Sequence, residues 1–372
     1  MRITKRIISS LLSLLSIQFI ATNALPITPV PASRAASRYV IENPLPYAVQ
    51  THEVIRVPNT NVILISQMSN SVLLKATVNN QGIIQDIGAF QLGQNTSALH
   101  GLALSKNYPG HVWVTLQKDN KLVLLDPMVK SISFPPTVIK EIDVPAPGLG
   151  PHYVGEYGDE LWSTLQDSSD VLRINYKTPS DYTIYKGLPR PIFIAQHPDN
   201  GQFYTGEDNS ASIMKIEPAT NKTTQLSIPS SAGVTPVGLI AGPKGHGIWF
   251  TLLGNATHGT GTIGNLHADD TITYHTLSSS PLSSNASLLH LAFDPKAKTN
   301  YTIWLLASSI INSSALDMII KVTFDESWSK IVSEDIVVTP THLNKAHRIL
   351  VSPNNVLATE LASSKLVSYY TL

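Results

Sequence analysis

The sequence predicts an all-β protein: a seven-bladed β-propeller whose four-stranded antiparallel blades surround a central channel. Three observations predict it. Beyond Tyr39 the chain is a succession of short runs rich in Val, Ile, Thr, Tyr and Leu, broken by Gly, Pro, Asn, Asp and Ser clusters. A hairpin pattern recurs, beginning near His52, His100, His152, Ile192, Val237, His290 and His347, at spacings of 40 to 57 residues that suit a four-stranded blade with variable loops. The second strand of that hairpin carries an aromatic at a recurring place, as in Val112-Trp113-Val114-Thr115, Leu161-Trp162-Ser163-Thr164 and Ile248-Trp249-Phe250-Thr251. Such an aromatic is read as packing between blades.

Taken in order, the chain opens with a targeting pattern. Arg2, Lys5 and Arg6 precede an Ile/Leu/Ser run from Ile7 to Ile20, and Thr22-Asn23-Ala24 places small residues for cleavage after Ala24. Residues 1–24 are therefore expected to be a signal peptide and the mature protein to be secreted, with no membrane span. Residues 25–38 read as an irregular Pro/Ala/Ser leader. Residues 39–372 read as one propeller domain, with Tyr39 to Ile41 available to pair with the last strands and close the ring.

Composition narrows the partners. The 372 residues carry a formal charge of zero, so neither nucleic acid nor an anionic membrane is expected. No cysteine is present, which excludes a thiol nucleophile and a thiolate metal site. Six Asn-x-Ser/Thr sequons, at Asn95, Asn221, Asn255, Asn285, Asn300 and Asn312, are candidate glycosylation sites in an exported chain. A monomer or homodimer acting on a small molecule is the expected state.

Counting outward from each hairpin turn pairs His52 with Gln67, His100 with Gln117, His152 with Gln166, Ile192 with Glu207, Val237 with Leu253, His290 with Ser308 and His347 with Leu361. In a propeller these seven pairs gather at one mouth of the channel. Five of the 12 histidines fall on seven equivalent positions, so His52, His100, His152, His290 and His347, with Glu207, are the candidate catalytic residues. Gln67, Gln117, Gln166 and Ser308 are candidate substrate contacts. The remaining histidines, among them His197, His246, His258 and His267, fall near turns and are expected at the surface. No nucleotide or organic cofactor is expected; a divalent metal is left open, since several neutral imidazoles suit zinc or another transition ion better than magnesium. Gly259-Thr260-Gly261-Thr262-Ile263-Gly264 matches G-x-G-x-x-G but lacks the strand–helix context of a dinucleotide site.

The units resemble those of streptogramin B (virginiamycin B) lyase, on Gly150-Pro151-His152, His100-Gly101-Leu102, Pro236-Val237-Gly238-Leu239, Ile248-Trp249-Phe250-Thr251 and Thr262-Ile263-Gly264-Asn265-Leu266. The resemblance covers most of residues 45–372. It implies a propeller that opens an ester ring by elimination, with channel histidines, a glutamate and magnesium. Gln67, Gln117 and Gln166 stand where the family's glutamate is expected, and only Glu207 is acidic there. The chain also resembles secreted fungal propellers of tropolone-sesquiterpenoid pathways, which implies a hetero-Diels–Alder cyclisation needing a shaped pocket and polarising donors. A non-catalytic propeller binding carbohydrate or protein is the alternative.

Overall fold

Twenty-eight strands form seven four-stranded antiparallel sheets in the computed structural model, which describes residues 38–47, 50–208, 210–243 and 245–371. Blades 1 to 6 run through residues 51–91, 99–143, 151–185, 191–227, 236–276 and 288–338. Blade 7 joins the two ends of the described chain: strand Arg38–Pro44 pairs with Lys365–Thr371 beside Val356–Glu360 and Ala346–Val351. The edge strand of that blade is thus borrowed from the other end of the sequence, and the ring is closed by backbone hydrogen bonds. The expected signal peptide, residues 1–24, and most of the expected Pro/Ala/Ser leader lie outside the described residues.

The alternating apolar pattern gives each blade two buried faces, and the described core divides into seven clusters, one at each junction between neighbouring blades. The recurring aromatics sit there. Trp162 of blade 3 stacks on Phe203 of blade 4 with centroids 3.7 Å apart, and Trp113, Trp162 and Trp249 are fully buried. Truncating such a ring in a closed core costs about 3–5 kcal/mol.

One irregularity repeats in every blade and positions the channel side chains. The inner strand pairs regularly with the second strand except at its first residues, where an extra residue shifts the register. Just before this bulge the backbone turns left-handed at Gln50, Ala98, Gly150, Arg190, Thr235 and Lys345, with φ between 39° and 72°. The carbonyl of that residue, or of Ser287 in blade 6, accepts a hydrogen bond from Met68, Gln117, Gln166, Asp208, Leu253, Ser308 or Leu361. These seven bonds fix which residues are equivalent around the ring.

Candidate functional site

Two residues beyond those carbonyls, the equivalent position of each blade holds His52, His100, His152, Ile192, Val237, Leu289 and His347. This tier holds four imidazoles and three apolar side chains. The residues that follow form a second tier: Glu53, Gly101, Tyr153, Phe193, Gly238, His290 and Arg348. Gly101 and Gly238 lack side chains for a steric reason, because a Cβ at either would fall 2.7 Å from the carbonyl oxygen of His152 or Leu289 in the next blade.

A hydroxyl anchors most spokes. Ser66 Oγ accepts from the Glu53 amide and donates to the His100 carbonyl; Thr115 does the same between Gly101 and His152, and Thr359 between Arg348 and His52. Each hydroxyl therefore holds its own bulge and the backbone of the next blade's histidine. Thr164 repeats the pattern between Tyr153 and Ile192.

Four imidazoles from consecutive blades meet in the upper tier. His52 Nε2 lies 2.6 Å from His347 Nε2 and 2.5 Å from His100 Nε2. The His152 ring is 4.0 Å from that of His100, centroid to centroid. His100 Nδ1 lies 2.9 Å from Gln117 Oε1, and Gln117 Nε2 reaches Gln166 Oε1 at 3.4 Å. The Nδ1 atoms of His52, His152 and His347 have no hydrogen-bond partner among the described residues. Opposite, Ile192, Val237 and Leu289 belong to an apolar cluster with Leu253, on which Ile310 and Ile311 pack. The four histidines are 4–7% exposed, so the tier is nearly closed to solvent.

The lower tier is a floor. Arg348 Nε lies 3.0 Å from Glu53 Oε2, and the guanidinium spans the channel to sit 4.5 Å from the centre of the Phe193 ring in blade 4. His290 packs against Phe193 at 5.3 Å, and its Nδ1 accepts from the Ile349 amide at 3.4 Å. Burial lowers the basicity of all five channel histidines, and the Arg348 charge lowers it further; His100 is pulled to about 3, although its bond to Gln117 opposes the shift. Burial also raises the Glu53 carboxyl and lowers Arg348, against the attraction between them. At neutral pH the imidazoles are uncharged hydrogen-bonding groups.

The structure thus brings together His52, His100, His152 and His347, with Gln117 and Gln166 above them. It sets His290 one tier lower, because the sixth inner strand places Leu289 on the bulge. Gln67 and Glu207 also differ from the pairing expected by mirror counting. They are equivalent to Leu116, Leu165 and Glu360, one residue short of Gln117 and Gln166, and are fully buried. Glu207 accepts from Ser210 and Ser212, and its carboxyl is raised by burial. Ser308 stays on the level of Gln117, where its Oγ accepts from the Ile310 amide. His197 is buried rather than exposed; its Nδ1 accepts from the Asp199 amide at 3.1 Å. Among the sequons, Asn95, Asn221, Asn255 and Asn285 are exposed, Asn300 is half-buried, and Asn312 is buried with Oδ1 accepting from Ser314. Sequence reasoning missed Arg348, Glu53, Phe193 and Tyr153. Their one signal was a large or charged residue directly after the repeated histidine position.

Magnesium, which the resemblance implies, needs oxygen ligands. The upper tier offers imidazole nitrogens, while Glu207 and Glu360 spend an oxygen on Ser212 and Ser363 within their own blades. The residues do not fit that ion.

No protein-family profile and no curated protein matches the chain. Among solved structures it is similar to virginiamycin B lyase from Staphylococcus aureus, at 17% identity over 90% of this chain and 100% of that one, with a TM-score of 0.68. A catalytically inactive histidine-to-alanine variant of that lyase with quinupristin matches at 17% identity, over 90% of this chain and 100% of that one, with a TM-score of 0.69. A streptogramin B lyase structure matches at 18% over 90% of this chain and 98% of that one, with a TM-score of 0.67. At these identities the likeness establishes the seven-bladed propeller fold.

Proposed function

We propose that the chain is an exported enzyme of secondary metabolism, of lyase or cyclase type, acting on a small neutral organic molecule in the upper tier of the channel. One observation carries this reading: His347, His52, His100 and His152 form a polar half-ring facing the apolar half-ring of Ile192, Val237 and Leu289. An apolar wall that binds a hydrocarbon skeleton, opposite a few converging polar groups that orient it, is the composition of a small-molecule site. The likeness to lyase structures, one of them an inactive histidine variant with quinupristin, supports a bond-breaking reaction in a propeller of this shape. The low basicity of the imidazoles favours hydrogen bonding over proton abstraction. A hetero-Diels–Alder cyclisation uses that chemistry: donors such as Gln166 and an imidazole N–H polarise a carbonyl while two bonds form without net proton transfer. The exposed sequons and the pattern of residues 1–24 support export.

The closed floor and the low exposure of the histidines favour a second reading, a non-catalytic binding propeller. A gene deletion separates the two. Extracts of the deletion strain, compared by mass spectrometry, should accumulate a neutral precursor that the purified protein converts. His152→Ala should slow the conversion at least 100-fold while the melting temperature stays within a few degrees. An unchanged metabolite profile, or full turnover by the variant, overturns the enzymatic reading.

A further inference from the structure

The contacts at His52 Nε2 are not a workable set of hydrogen bonds. A neutral imidazole nitrogen is either one donor or one acceptor. His100 Nδ1 faces the amide oxygen of Gln117, so it carries the hydrogen and leaves His100 Nε2 as a bare lone pair. His52 Nε2 must then donate its hydrogen to His100. His347 Nε2, 2.6 Å away on the other side, is left facing a nitrogen with neither a free lone pair nor a second hydrogen. Both distances also lie below the range usual for hydrogen bonds from N–H groups. Ring nitrogens held this close, with one contact that no hydrogen can bridge, suit a shared cation.

We propose that His52, His100 and His152, with His347 beside His52 as a fourth ligand, form a transition-metal site of the zinc type in the propeller channel. Ring nitrogens of His52, His100 and His152 already lie within 4.8 Å of one another, and all three residues are buried. Zinc bonds to imidazole of about 2.0–2.1 Å in a tetrahedron set the nitrogens about 3.3 Å apart, so the crowded rings need to part by less than about 1 Å. The outer support of a metal histidine is present at His100, where Gln117 fixes the tautomer and is itself held by Gln166. The hydroxyls of Thr359, Ser66 and Thr115 hold the ligand backbones at His52, His100 and His152. An all-imidazole set selects zinc, copper, nickel or cobalt over magnesium or calcium. The Glu53 carboxylate offsets Arg348 beneath the site, so a dication does not face an unpaired positive charge. The site stands whether the channel is catalytic or only binds.

The test uses the full chain, exported by the host without a polyhistidine tag. Elemental analysis is made first; the protein is then stripped with a chelator and titrated with zinc and with cobalt(II) alone. One equivalent of metal, intense visible bands of tetrahedral cobalt(II) and a melting temperature raised by several degrees are expected. The His52→Ala/His100→Ala double variant should lose the bands while keeping its far-ultraviolet circular dichroism. Gln117→Leu, which removes only the support, should weaken binding about 10- to 100-fold. Folded wild-type protein that shows no bands and retains no zinc against a competing chelator overturns the site, as do bands that persist in the double variant. None of these readouts involves turnover, so a negative result leaves the enzymatic reading to its own test.

Discussion

Arg348 and Glu53 follow His347 and His52 in the chain and join blades 7 and 1 by an ion pair of 3.0 Å beneath the imidazoles. Both are buried, and Glu53 also accepts from its neighbour's amide at Val54. Arg348 further donates to the His347 carbonyl and faces the Phe193 ring, so one side chain touches three blades around the channel. Its stem and charge replace the core that a ring of seven inner strands cannot otherwise supply at its centre.

Removing one partner leaves the other charge buried and unpaired. Arg348→Met and Glu53→Gln should each cost about 3–5 kcal/mol in urea unfolding, whereas the double variant should cost much less than their sum. Additive losses would show that each residue acts through separate packing, and that the pair does not form the floor.

The channel sets an acid limit. His52, His100, His152, His290 and His347, with His197 and His275 elsewhere, are all lowered from 6.5 by burial first. Below pH 6.5 the unfolded chain takes up protons that the folded chain refuses, so stability falls as pH falls, toward about 3 for His100. Each histidine contributes up to about 1.4 kcal/mol per pH unit in that window. Metal-free protein should therefore lose stability steeply between about pH 6.5 and 4, and His275→Phe, which keeps a ring stacked on Trp249, should flatten the slope. A melting temperature level across this range contradicts the neutral, buried imidazoles.

What the sequence revealed follows from where regularity holds. Seven hairpins with an inter-blade aromatic are a periodic signal, and the closing strand follows from the need to leave no open edge. Four of the five proposed channel histidines meet for the same reason. His290, Gln67 and Glu207 were displaced by one residue because a turn centre read from the sequence fixes the level on each strand only to within one residue, and the bulge in every inner strand makes the two sides of the hairpin unequal. The Arg348–Phe193 contact spans the channel between blades 7 and 4, a separation no local pattern encodes. The hydroxyls of Ser66, Thr115 and Thr359 looked like ordinary strand residues, and only the bulge gives them two partners.

Glu360 gives the last prediction, opposite in sign to the histidines. It is fully buried at the end of the second strand of blade 7, with Oε2 accepting from Ser363. Burial is the largest influence and lifts its carboxyl from 4.5 to about 7, outweighing Ser363 and Asn344. Between those values the folded chain holds a proton that the unfolded chain has released, so stability falls as pH rises from 4.5 and levels off above about 7. Glu360→Gln removes the ionisation and keeps an oxygen for Ser363. It should leave stability at pH 4 nearly unchanged and raise it at pH 8 by roughly 1–2 kcal/mol, with the difference growing across pH 5–7. The measurement is urea unfolding of both proteins at each pH. A variant equally destabilised at pH 4 and pH 8 would show that Glu360 is needed as a hydrogen-bonding shape, not strained as a buried charge.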